Sequence, residues 1–175
     1  MKHKIFLLVG CCVFLLAAGC TTTSSYTHNQ GLPPLGPSDK FAIGTVEDKA
    51  TYQFEEEGDV FNLSDKLHHV LGEELAKAGL FASDGNYVIN SVILEYAPGN
   101  AWMRGMLLSQ GATRLKVACQ IVDNAGNSIS SLLVERSITV GGGFTIGAFR
   151  YVFQEVGEEV VRLIKLEIAK TDSNF

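Results

Sequence analysis

The stretch TRLKVACQIVDNAGNSISSLLVERSITV, residues 113–140, decides the fold. Leu115, Val117, Cys119 and Ile121 alternate with Arg114, Lys116 and Gln120, the period-two pattern of a strand with one buried face. Asp123-Asn124-Ala125-Gly126-Asn127 supplies residue types that accept turn backbone angles, and Ile129 to Val140 is the returning partner. An antiparallel hairpin therefore sits in the middle of the folded part.

Outward from the hairpin, Asn86 to Tyr96 reads as a strand apolar on both faces. Val88, Val92, Leu94 and Tyr96 fall on one side, Tyr87, Ile89 and Ile93 on the other, as expected of a strand inside a sheet. Upstream, Ser64 is a candidate N-cap with Asp65 in the first turn, and Leu67, Val70, Leu71, Leu75 and Ala78 follow at helical spacing until Gly79 stops the helix. Phe41 to Val46 alternates as a strand, with Phe41, Ile43 and Thr45 on one face, and residues 47–62 read as an acidic loop. Downstream, Gly141-Gly142-Gly143 breaks the chain before a long helix over about Phe144 to Lys170. Its stripe runs Phe149, Val152, Phe153, Val156, Val160, Leu163, Ile164 and Ile168. The order strand, helix, strand, hairpin, helix predicts an α+β fold: a mainly antiparallel sheet of about four strands with two helices packed on one face.

The N-terminus carries a different message. Lys2, His3 and Lys4 precede 14 apolar or small residues, Ile5 to Ala18. That is signal-peptide length, short of the ~20 residues a helix needs to span a bilayer. The closing run Leu15-Leu16-Ala17-Ala18-Gly19-Cys20 resembles the lipobox of bacterial lipoproteins, with Ala17 where that family prefers Leu. The resemblance implies cleavage after residue 19 and lipidation of Cys20. Two or more acyl chains hold a protein on its membrane stably, whereas one does so marginally. Thr21, rather than Asp, follows the cysteine, which by the same resemblance implies the outer membrane, facing the periplasm. Three parts are expected: 1–19 a signal peptide, 20–39 a lipidated N-terminus and flexible linker rich in Thr, Ser, Gly and Pro, and 40–175 a single domain.

Composition narrows the function. Without Lys2 and Lys4, 12 basic residues face 19 acidic ones, a formal charge of −7, which argues against nucleic acid as a partner. Of four cysteines, Cys11 and Cys12 lie in the leader and Cys20 takes lipid, so Cys119 has no internal disulfide partner and reads as a small buried hydrophobe. His68 and His69 are adjacent on a helix and point ~100° apart, a poor metal pair; His28 lies in the linker. Glu55-Glu56-Glu57-Gly58-Asp59 lacks the alternating ligands of a calcium loop, and the glycine triplet lacks the Lys-Ser/Thr of a phosphate loop. The expectation is no catalytic residue, no metal and no cofactor: not an enzyme.

Two apolar clusters are candidate partner surfaces. One holds Trp102, Met103, Arg104, Met106 and Leu107; the other is built around Phe144 and Phe149. Trp and Met favour such surfaces through large area and adaptable shape, although aromatic stripes more often close a core. Gly99 with Arg104, Gly111 leading into the strand 114–122, Val122-Asp123 with Gly126, the glycine break and the final helix together resemble the bacterial lipoprotein family named domain of unknown function 4410. That resemblance spans Gly99 to Leu166 and implies an envelope lipoprotein without assigned activity. The expected role is an anchored protein that binds another envelope component. The alternatives are a self-assembling envelope or pore component, and a small-ligand or lipid carrier.

Overall fold

The computed structural model describes residues 20–50, 62–99, 111–139 and 148–172. The described chain runs β1 (Cys20–His28), β2 (Phe41–Asp48), α1 (Leu63–Lys77), β3 (Tyr87–Ala97), β4 (Thr113–Asp123), β5 (Ser128–Ile138) and α2 (Ala148–Asp172). The five strands form one sheet in the order β1-β5-β4-β3-β2. Every neighbour pair is antiparallel except β2–β3, which α1 joins as a crossover. Both helices lie on one face, α1 over β2 and α2 over β4 and β5, and they pack on each other. The α+β class and the one-sided helical layer are as the sequence predicts.

Local chemistry explains the elements. The α1 N-cap is Asn62, two residues before the expected Ser64; its Oδ1 accepts from the Ser64 and Asp65 N–H groups at 2.9 and 3.2 Å. The helix ends in a Schellman turn. Gly79 takes φ 71°, its N–H reaches Ala76 O, and Leu80 N–H reaches Leu75 O at 2.8 Å. In the β4–β5 hairpin, Asp123 Oδ1 accepts from the Ala125 and Asn127 N–H groups, while Gly126 takes φ 85°. The core joins Leu67, Leu71 and Leu75 of α1 to Val152, Phe153 and Ile164 of α2 over Ile89, Val117 and Ile121 of the sheet.

Three readings need correction. The stretch 20–39, whose composition predicts a linker, contains β1, the fifth strand of the sheet, paired over its whole length with β5. Residues 29–39 are no free tether either. They cross from one sheet edge to the other as a strap, with Leu35 1% exposed and Asp39 Oδ2 accepting from the Gly36 N–H at 2.7 Å. A Thr/Ser-rich strand carries little apolar signal, because its order comes from backbone hydrogen bonds to a neighbour already in place. Third, the register slips between Ile93 and Glu95. Tyr96 therefore turns to the core with Tyr87, Ile89 and Ile93, and Leu94 is left 42% exposed. A like irregularity in β2 exposes Thr45 and turns Val46 inward beside Ile43.

Candidate functional site

Cys20 is the first residue of β1, opposite Ile138, which in turn faces Thr113 across β5–β4. Ala97, the last residue of β3, faces Arg114. Thus the first residue of β1, the end of β5, the start of β4 and the end of β3 share one end of the sheet. The predicted partner residues Trp102, Met103, Arg104, Met106, Leu107 and Phe144 lie outside the described residues. Phe149 falls within α2 by its backbone, and its side chain is outside the described part.

The next side chains of β1 are tied to the helix layer. Arg136 of β5 donates from Nε to Glu155 Oε2 on α2 at 2.6 Å and from Nη1 to Thr22 Oγ1. Ser24 Oγ donates to Glu159 Oε1, a carboxylate also gripped by Arg162. The Arg162 guanidinium, with help from Ser24, holds the Glu159 carboxyl below its usual pKa. Farther along, the Tyr26 hydroxyl is cut off from water beside Ser130, and this burial pushes its pKa up. These links fasten the first strand to the domain in two layers, by backbone to β5 and by side chain to α2. None was legible beforehand. The available signal was the shared parity of Thr22, Ser24 and Tyr26, which puts all three on one face once a strand is granted.

Cys119 is a buried free thiol 3.3 Å from the Ser91 Oγ that donates to it, and burial pushes its pKa to about 11. A thiol held that high carries almost no thiolate at neutral pH. His68 and His69 are both exposed on α1, and His69 Nε2 lies 3.3 Å from Glu73. Among the described residues, no group of three or more His, Cys, Asp or Glu side chains could hold a metal ion, and no helix is long and apolar enough to cross a membrane. A cavity of about 410 Å³ opens between β1, the strap and the end of α2, lined by Tyr26, His28, Leu35, Glu167 and Lys170 among others. Lys170 and Glu167 pair with each other at its rim.

Comparison with solved structures places this architecture. The PelC dodecamer from Paraburkholderia phytofirmans superposes with a TM-score of 0.56 at 14% identity, over 82% of this chain and 97% of that one. Protein XCC0632 from Xanthomonas campestris, assigned to domain of unknown function 330, superposes with a TM-score of 0.54 at 13% identity, over 87% and 97%. The fold is shared with these proteins. A minor lipoprotein from Acinetobacter baumannii is similar more loosely, with a TM-score of 0.37 at 22% identity over 76% and 94%. No family model matches the chain. No curated protein matches it either.

Proposed function

We propose that this chain is a non-enzymatic lipoprotein of the outer membrane, held on the periplasmic side by acyl chains on Cys20, whose domain engages another envelope component at the membrane surface. The observation that carries the reading is that the lipobox cysteine is also the first residue of the folded sheet. With no spacer between anchor and fold, the end of the sheet bearing Cys20 lies within a few residues' reach of the headgroups, so partners are met at the bilayer rather than at a distance.

The test is metabolic labelling with an alkyne fatty acid, then mass spectrometry of the mature N-terminus. A diacylated or triacylated Cys20 is the expected result, and Cys20→Ala yields an unlabelled, uncleaved precursor. An intact Met1, or a mature start elsewhere without added lipid mass, overturns the reading. Pull-down from detergent-solubilised envelope then addresses the partner. Recovery of nothing beyond the bait removes that part of the proposal.

A second reading, self-assembly, is favoured by one observation: the protein sharing this fold at a TM-score of 0.56 crystallised as a dodecamer. Under this reading, copies of the anchored chain associate side by side on the membrane.

A further inference from the structure

The two edges of the sheet are unlike. At β2 the edge is blunted in several ways. Its pairing with β3 slips between Ile43 and Val46, and Glu47 and Lys49 form an ion pair at 2.9 Å beside Asp48. Bulges and charges of this kind stop a strand from recruiting another.

Among the described residues, no such device protects β1. Nine consecutive residues pair with β5 without a slip, and Cys20 to Thr27 holds no charge and no proline. Asn29 donates its N–H to Ile129 O at 2.9 Å, so by strand alternation Thr27, Ser25 and Thr23 turn their backbone groups to β5. The N–H and C=O groups of Thr22, Ser24 and Tyr26 therefore point away from the sheet. They form a straight, uncharged row of donors and acceptors along a strand about 30 Å long.

We propose that β1 is an interface between two copies of this chain, which pair β1 to β1 antiparallel and fuse two five-stranded sheets into one of ten. A two-fold contact requires a self-complementary patch, and an uncharged edge meeting itself is one. Charge favours this occupant. The mature chain is acidic, so two copies repel over most of their surface, whereas β1 against β1 sets no like charges opposite and lets Thr and Ser side chains pair across the strands. A β1-to-β2 contact would instead meet the slipped register and Asp48. Antiparallel pairing also puts the two Cys20 residues at opposite ends of the ladder, and both reach one bilayer when the paired strands lie along its surface. This deepens the self-assembly reading and rests on it.

The experiment uses the full lipidated chain in detergent micelles, sized by light scattering with the detergent contribution subtracted. The wild type is expected to be dimeric. Ser24→Pro removes an outward N–H and no bond to β5, so it should give monomers at concentrations where the wild type is dimeric. Ser24→Ala, which loses the Glu159 contact but keeps the N–H, should remain dimeric. Ser25→Lys, with its backbone untouched, should also separate the copies. It keeps the test decisive should Ser24→Pro not fold by circular dichroism. A photo-crosslinker at position 23 should capture residues 20–28 of a second copy. Dimers that persist in both Ser24→Pro and Ser25→Lys, or cross-links to 41–48, overturn the β1 pairing and leave self-assembly standing. A wild type that is monomeric throughout overturns both.

Discussion

Gly157 of α2 lies so close to Val70 of α1 that a methyl group on its Cα would sit 2.7 Å from Val70 Cγ1 and 3.3 Å from Glu74 Cγ. Glycine costs a helix interior about 1 kcal/mol relative to alanine, and here it lets two helices approach without a side chain between them. Val70 is β-branched and stiff, so it gives way poorly.

Gly157→Val is therefore expected to destabilise the fold by about 1–3 kcal/mol, the usual range for overpacking. In Gly157→Ala the propensity gain offsets part of the clash. Urea unfolding of the two variants beside the wild type checks the order, wild type above Ala above Val.

Leu35 discriminates the strap from a free tether. It is buried to 1% exposure in a stretch whose composition reads as linker. Leu35→Ala should cost about 2–5 kcal/mol, as for other buried leucines. A thermal midpoint equal to the wild type's would show residues 29–39 to be free of the domain.

Cys119 should resist thiol reagents at pH 8 in the native state and react at once in denaturant, because its pKa of about 11 leaves almost no thiolate. Cys119→Ser places a stronger hydroxyl dipole in the same buried site and is expected to cost about 1–3 kcal/mol. Reagent uptake with time and a denaturant curve report the two effects separately.

The hairpin predicts a pH dependence. Asp123 is held below its ordinary pKa, chiefly by the Asn127 side chain and then by the backbone N–H of Asn127. A carboxyl whose pKa is depressed by folding stabilises the native state above its unfolded pKa, and that contribution is lost as pH falls through the lower native value. Asp123→Ala should therefore lower the thermal midpoint at pH 7, with the gap to the wild type narrowing as the pH falls through the depressed native pKa of Asp123. A constant gap from pH 7 to pH 2 would rule out this linkage.

How much was legible follows from where each signal resides. The β4–β5 hairpin, α1 and most of α2 are written in apolar periodicity, which survives reading one residue at a time. Two features are not. β1 is ordered by a neighbour more than 100 residues away in sequence, and its side chains are mostly hydroxylated, so Thr21 to Thr27 resembles a linker. The slip at Ile93–Glu95 reverses faces within one strand, and an unbroken alternation therefore misassigns Tyr96. Cys20 is legible as a candidate site because its signal is a contiguous motif. The free edge of β1 is not, because backbone groups carry no letter in the sequence. The cluster around Trp102 lies outside the described residues.

On the proposed attachment through Cys20, anchoring and folding would meet at one residue, and no slack chain would absorb a mechanical load. A pull on such acyl chains would act on the Cys20–Ile138 rung of the ladder, and then on Thr22 and Ser24 with their ties to Arg136 and Glu159. Extraction of that lipid and peeling of the outermost strand would then compete under the same force.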